Sequence, residues 1–310
     1  MRDQFLKTLV EAMNDNEDIV YLTADCGDVT KSKDYQGKPE RSINVGIAEQ
    51  SLMSIAAGMA KEGKIAVVQS IGNFPTLRCL EQIRDDVCYH HFNVKICSIG
   101  GGLSYGPAGV THHSTEDFSI MRSLPGMTCF APGDAYEVEA CVRLMLETEG
   151  PCYMRIGYRG EPLIHAQKIK VLQLGEILNV IEGERIAIIT AGNILSEAKK
   201  AAELLRTEGL NPGLYSCPTL KPINQKQLQQ IAEDYDQLIT VEENVLEGGF
   251  GAMILEQLND LNLHKPIERI GLSGFPTVIG SREYLRAYYH LDAASLAKHI
   301  VESFADNPHL

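Results

Sequence analysis

Short, almost continuous apolar runs recur along this chain, separated by longer amphipathic stretches. "DIVYLTAD" (18–25), "KIAVVQSI" (64–71), "VKICSIG" (94–100) and "MTCFAPG" (127–133) carry too little polar alternation for strands with one wet face. A strand apolar on both sides must be covered on both sides, as in a parallel sheet between two helix layers. The stretches at 48–61, 76–91, 115–123 and 134–148 repeat apolar residues at helical spacing and supply those layers. The alternation implies right-handed crossovers and a doubly wound α/β architecture.

The rhythm lapses after Arg159, and 161–184 reads as a link between a first domain, 1–160, and a second, 185–310. A second series then runs "RIAIITAG" (185–192), a helix over 195–208, "LNPGLYSC" (210–217) and a helix over 224–234. It continues with "QLITVEE" (237–243), a helix over 249–260, "IERIGL" (267–272) and a last amphipathic helix over 291–304. A length of 310 residues suits two such domains, again with mainly parallel pairing in the second. Gly248, Gly249 and Gly251 read as a tight strand-to-helix junction, because a glycine triplet alone is a weak phosphate signal.

A net charge of -13 argues against nucleic acid or an anionic membrane as partner, although local arginines can still hold a small anion. None of the eight cysteines forms a Cys-x-x-Cys pair, and most sit in apolar runs, as expected of reduced core thiols in a cytoplasmic protein. No apolar run is long enough to span a bilayer.

In open parallel sheets ligands gather beyond the carboxyl ends of the strands. The distinctive residues fall there: Asp25, Glu49, Phe74, the run "GGGLSYGPAGVTHH" (100–113), and Arg155 after "GPCYM". Glu49 poses a question. It opens a helix beside Gly46 and Ala48, which offer it no charge. Either it is an ordinary first-turn acid or a group that is not protein meets it.

"NVGIAEQ" with "AAGMA", "FPTLRCLEQIRDDV" and "GGLSYGPAGVTHHSTEDFSIMRSLPGMTCFAPGDAYEVEA" together resemble the carboxyl half of transketolases. The likeness is greatest to the separate C-terminal subunit of split transketolases, with deoxyxylulose-phosphate synthase further off. "RIAIITAGNILSEAKKAAELL" and "LITVEENVLEGGFGAMI" resemble the transketolase C-terminal domain. The resemblance implies a pyrimidine-binding domain followed by that C-terminal domain, with thiamine diphosphate and Mg²⁺ as cofactors. It implies a transferase that moves a two-carbon ketol or acyl unit from a ketose or 2-oxo acid to an aldehyde.

Residue by residue, the resemblance makes Glu49 the carboxylate at N1′ of the cofactor's aminopyrimidine. Helix position favours its anion and burial its protonated form, so the group can share a proton with the ring. Phe74 would stack on that ring, and Ile47 and Asp25 would line the cofactor. His112 would face substrate, with His113 beside it, and Arg78, Arg155 and Arg159 would hold an anionic substrate. Arg78 and Arg155 could equally hold a carboxylate of another subunit.

Three departures bear on substrate. Gly106-Pro107-Ala108-Gly109 replaces the usual Gly-Glu-Asp-Gly, Tyr158 replaces an arginine, and a phosphate-site serine has no counterpart in "ADCGDVT". The substrates are therefore expected to differ from the usual pentose phosphate pair. No Gly-Asp-Gly occurs, since Gly27-Asp28 and Gly133-Asp134 run on into Val29 and Ala135. A diphosphate needs a metal and its oxygen ligands, so none is assigned to this chain. A subunit resembling the transketolase N-terminal half would complete the site in an α2β2 heterotetramer, and the chain would be active only with it. Two alternatives remain open: the β-subunit of a 2-oxo-acid dehydrogenase, or a non-catalytic regulatory or scaffolding subunit.

Overall fold

In the computed structural model, which describes residues 1–305, the apolar runs become strands covered on both faces. The first sheet has seven strands in the order β10-β5-β6-β4-β3-β1-β2. These are β1 (Ile19–Thr23), β2 (Ser42–Asn44), β3 (Ile65–Ile71), β4 (Val94–Ile99), β5 (Thr128–Phe130), β6 (Cys152–Ile156) and β10 (Thr219–Lys221). Every pair is parallel except β10 with β5.

The two-residue period of a strand divides its side chains between the layers. Val20 and Leu22 of β1 join Val68 and Ile96 against helix α2 (Glu49–Lys61), which contributes Leu52, Met53 and Ala56. Ile19 and Tyr21 face the other way and join Val67 and Cys97. That layer is closed by α1 (Arg2–Asp15) and, later in the chain, α5 (Ala135–Glu147). The strand–helix rhythm passes over α1, because no strand precedes it, yet Phe5, Leu9 and Met13 at helical spacing form its buried stripe. The expected helix over 76–91 is irregular. A 3₁₀ turn (Leu77–Cys79) leads into one turn of α3 (Leu80–Gln82) and then a π-helical stretch (Ile83–Cys88). Helix α4 (Asp117–Met121) lies between β4 and β5.

The second sheet has five strands in the order β12-β11-β8-β9-β7. They are β7 (Leu178–Ile181), β8 (Ile186–Thr190), β9 (Gly213–Ser216), β11 (Gln237–Val245) and β12 (Ile267–Leu272). Only β7 runs antiparallel, on β9. It falls inside the segment read as the link, and by its pairing it belongs to the second sheet. Helices α6 (Leu195–Thr207), α7 (Gln225–Asp234), α8 (Phe250–Asp260), α9 (Arg282–Tyr288) and α10 (Ala293–Ala305) complete the described chain, and residues 306–310 of the expected second domain lie outside it.

One crossover was not anticipated. Strand β10 follows β9 in the chain but pairs with β5, Thr219 opposite Phe130, and so sews the two sheets together. Three residues that include a threonine and a lysine carry no periodicity from which such a strand could be read. All eight cysteines are free, and all but Cys26 are buried. Among the described residues no helix is long and apolar enough to cross a membrane.

Candidate functional site

The carboxyl ends of β1, β3 and β4 and the amino end of α2 open onto one mouth. Gly46, at φ +74°, turns the chain into α2, and Glu49 is the first residue of that helix. The side chain is only 3% exposed. A charged partner that Gly46 and Ala48 do not offer comes from elsewhere in the chain. Nη1 of Arg78 donates to Glu49 Oε2 at 2.7 Å. Arg78 stands on the 3₁₀ turn, 29 residues further along, where no local reading of the Glu49 block would look for it.

The same guanidinium lies over the ring of Phe74, with its carbon 4.5 Å from the ring centre. Phe74 in turn meets His112 edge-on, at 5.1 Å between ring centres. Nδ1 of His112 is 2.9 Å from Thr111 Oγ1. Four of the expected residues, Glu49, Phe74, Arg78 and His112, are thus in one contiguous group.

Two glycines let the loop 100–113 fold back over the strand ends. At Gly72 (φ +45°) a Cβ would lie 2.6 Å from the His112 carbonyl oxygen. At Gly100 (φ +90°) the ring of Tyr105 fills the space a Cβ would take. Left-handed backbone and close approach together demand glycine at both places. Tyr105 then packs 4.9 Å from Tyr158 and 6.0 Å from His112. Burial pushes its hydroxyl up to a pKa of about 12, so the phenol stays neutral.

Tyr105 and Tyr158 wall a cleft of about 360 Å³ whose lining includes Arg2, Asp25, Cys26 and Gln69. On its floor Oε1 of Gln69 is buried with no hydrogen-bond partner among the described residues. Asp25 is exposed at φ +55°, held by Asn44, whose Oδ1 accepts from the Asp25 amide at 3.0 Å. Ile47 projects from the rim, 78% exposed. Arg159 is exposed and lies 5.3 Å over the Tyr158 ring.

Two expected residues are not at the mouth. Arg155 lies inside β6 rather than beyond its end, and it is buried. It donates to Asp117 Oδ1 at 2.8 Å and to the Ser114 carbonyl at 3.1 Å, and its guanidinium rests 3.7 Å over Phe118. His113 turns away from His112 into the interior, with Nε2 3.3 Å from the Gly106 carbonyl. Burial holds its pKa below the ordinary value, so it is neutral at physiological pH.

A support from the second sheet was missed altogether. Glu243 of β11 accepts from the Leu103 amide at 3.2 Å and from Asn193 at 3.3 Å, which anchors the start of the loop. Burial alone would raise its pKa, but Arg286, with Nε 2.5 Å away, outweighs that and lowers it. The one available sign was a pair of acids, "EE", in the middle of an apolar strand. Among the described residues no group of three or more His, Cys, Asp or Glu side chains is placed to hold a metal ion.

Chemically, the mouth offers a buried carboxylate and an aromatic face that share one guanidinium. Such a pair suits a flat group with an N–H donor at its edge, and the Arg78 guanidinium, planar and N–H-bearing, already meets both partners in this way.

Comparison with known proteins places both domains in one family. The family described as transketolase, pyrimidine binding domain, matches residues 1–158. The family described as transketolase, C-terminal domain, matches 175–296. An apulose-4-phosphate transketolase subunit of Phocaeicola vulgatus is 33% identical, over 97% of this chain and 96% of that protein. A putative transketolase C-terminal section of Methanocaldococcus jannaschii is 34% identical, over 97% and 95%. A solved split gene transketolase, described as an inactive beta4 tetramer, matches with a TM-score of 0.86 at 32% identity, over 97% and 96%.

Proposed function

This chain belongs to the transketolase family, matching its pyrimidine-binding and C-terminal domains, and from that premise we propose that it activates the cofactor ring in a two-subunit carboligase. The family implies thiamine diphosphate. The observation that carries the proposal is the seating of one planar N–H donor on Glu49 and Phe74 at once. Glu49 and Phe74 would hold the aminopyrimidine, with Ile47 and Asp25 at its margins. When bound, thiamine diphosphate would supply an acidic carbon that, once its proton is removed, is a nucleophile towards a carbonyl group.

The chain's own residues prepare for that chemistry. Glu49, buried at the amino end of α2, sets its carboxylate against the ring nitrogen. Phe74 supports one face of the ring. His112, tethered by Thr111 and braced by Phe74 and Tyr105, gives or takes a proton at a substrate hydroxyl. The cleft between Tyr105 and Tyr158 receives the remainder of the substrate, and Arg159 stands on the rim for a negative group. Arg155 and His113 are assigned to the support of this wall, as their burial directs.

The loop Gly106–Gly109 brings no carboxylate to the mouth, and Tyr158 stands where an arginine would read a phosphate. The ketol donor or acceptor therefore differs from the usual pentose phosphate pair. A relative named for apulose 4-phosphate supports that breadth. We assign the diphosphate and Mg²⁺ to a partner resembling the transketolase N-terminal half, in an assembly of two copies of each chain. Two features support this: the lack of any Gly-Asp-Gly, and the exposed apolar rim of Ile47, Leu77 and Val110 around the mouth. The solved relative built of beta chains alone is described as inactive, which fits the same division.

The test is to purify the chain with that partner and titrate thiamine diphosphate and Mg²⁺ by calorimetry, then screen ketoses and 2-oxo acids. Binding and ketol transfer by the assembled complex alone are expected. Tight cofactor binding by the isolated chain, or no transfer from any donor, contradicts the reading.

A further inference from the structure

The side chains given to the cofactor ring, Glu49 and Phe74, stand on α2 and just after β3, elements of the first domain. His112, given to the substrate, stands on a loop that is gripped from the second. We infer that Glu243 of β11, with Arg286 and Asn193, is a positioning device for His112, through which the second domain governs the substrate step. This rests on the role of His112 proposed above and goes beyond it.

The loop is closed on itself. Gly102 and Ser114 exchange two backbone hydrogen bonds, at 2.9 and 3.0 Å, and so pin the neck of residues 102–114. Inside it His113 Nε2 lies 3.3 Å from the Gly106 carbonyl oxygen, and the Gly106 amide donates to the Leu103 carbonyl. The amides of His112 and His113 both donate to the Gly109 carbonyl. A loop with paired ends and a bonded interior is placed as a unit, so the grip on its neck decides where His112 stands.

One strand grips both sides of that neck. Glu243 Oε2 accepts from the Leu103 amide at 3.2 Å, and two residues further along β11 the Val245 amide donates to the Thr115 carbonyl at 2.8 Å. The approach is close, since a Cβ on Gly102 would lie 2.1 Å from Glu243 Oε2. Asn193, after β8, adds a bridge by donating Nδ2 to Glu243 Oε2 and to Ser104 Oγ, each at 3.3 Å. Arg286 of α9 holds the other carboxylate oxygen through its Nε. The turn before α9 also meets the loop, because a Cβ on Gly106 would lie 2.3 Å from the Gly280 carbonyl oxygen. The Arg286 and Glu243 side chains are 5% and 0% exposed. Apolar residues would close such a seam without desolvating two charges, whereas a buried, multiply bonded carboxylate specifies one place for the loop.

The test starts from the two acceptor oxygens of Glu243. A glutamine of the same shape offers one oxygen and turns an NH₂ towards a donor, so Glu243→Gln cannot satisfy Arg286 and Leu103 together. In the assembled complex, calorimetry reads thiamine diphosphate affinity, and steady-state kinetics read transfer from the ketose or 2-oxo acid that the wild type accepts. Glu243→Gln is expected to lower kcat by about 10- to 100-fold with cofactor affinity unchanged. A double-mutant cycle separates positioning from general damage: on a His112→Ala background, followed in single turnovers, Glu243→Gln should cost little more. Asn193→Ala leaves the Glu243–Arg286 bond in place and should repeat the pattern at about three- to tenfold, and it carries the test if Glu243→Gln fails to fold. Wild-type turnover in both variants, a parallel loss of cofactor binding, or an equal loss with and without His112 overturns the inference. A wild-type complex that transfers from no donor, or a His112→Ala complex as active as wild type, removes the site reading itself, so the two failures are told apart.

Discussion

Two arginine–carboxylate pairs of similar length sit in opposite settings in this molecule. At the mouth Arg78 meets Glu49 at 2.7 Å, and in the interior Arg155 meets Asp117 at 2.8 Å. The interior pair is buried on both sides, and Asp117 also accepts from the Tyr153 hydroxyl. Arg155 reaches on to Asn244 of the second sheet, so that pair helps to join the two halves of the chain. The mouth pair has one bond and one exposed partner. Distance alone does not separate the two pairs. Burial of both partners, and the number of further bonds, does.

That contrast can be broken by experiment. Glu49→Gln in the assembled complex is expected to lower turnover by about 10²–10⁴-fold with no loss of thermal stability, because Glu49 is assigned to chemistry rather than to holding the fold. Retained turnover would make the mouth pair a structural one. Asp117→Asn leaves Arg155 buried with a neutral partner and is expected to destabilise the chain by about 3–5 kcal/mol in denaturant unfolding. A loss under about 1 kcal/mol would erase the distinction between the two pairs.

A third buried acid sharpens the comparison through pH. Glu242 accepts from the amides of Phe250 and Gly251 but has no cation at hydrogen-bond distance among the described residues, and burial pushes its pKa from 4.5 up to about 7. The folded protein keeps a proton there that the unfolded chain releases above 4.5. The site therefore contributes stability below about pH 4.5 that is lost as pH rises through about 7. Glu242→Gln should flatten the difference in unfolding free energy across that window, and an unchanged slope would contradict it. At the small end, Lys64→Ala breaks an exposed pair with Asp18 and should change stability by at most about 1 kcal/mol.

Much of the architecture could be read from the order of residues, because buried parallel strands such as β1 and β4 must be apolar throughout. What escaped has a common cause, the dependence on distant parts of the chain. Strand β10 owes its place to β5 and not to its own three residues. Arg78 was readable as a charge in "FPTLRC", yet its partner lies 29 residues back, across a fold that only the packed sheet supplies. Arg155 looked like a strand-end cation because the end of β6 could not be set to within two residues from pattern alone. Glu243 was visible as an acid in an apolar strand, whereas its role in anchoring Leu103 needed the second sheet in place.

The most direct test is a structure of this chain assembled with its N-terminal-half partner and thiamine diphosphate. The account predicts the aminopyrimidine within hydrogen-bond distance of the Glu49 carboxylate and against the Phe74 face. A cofactor ring bound anywhere else, with Glu49 untouched by it, would contradict the account.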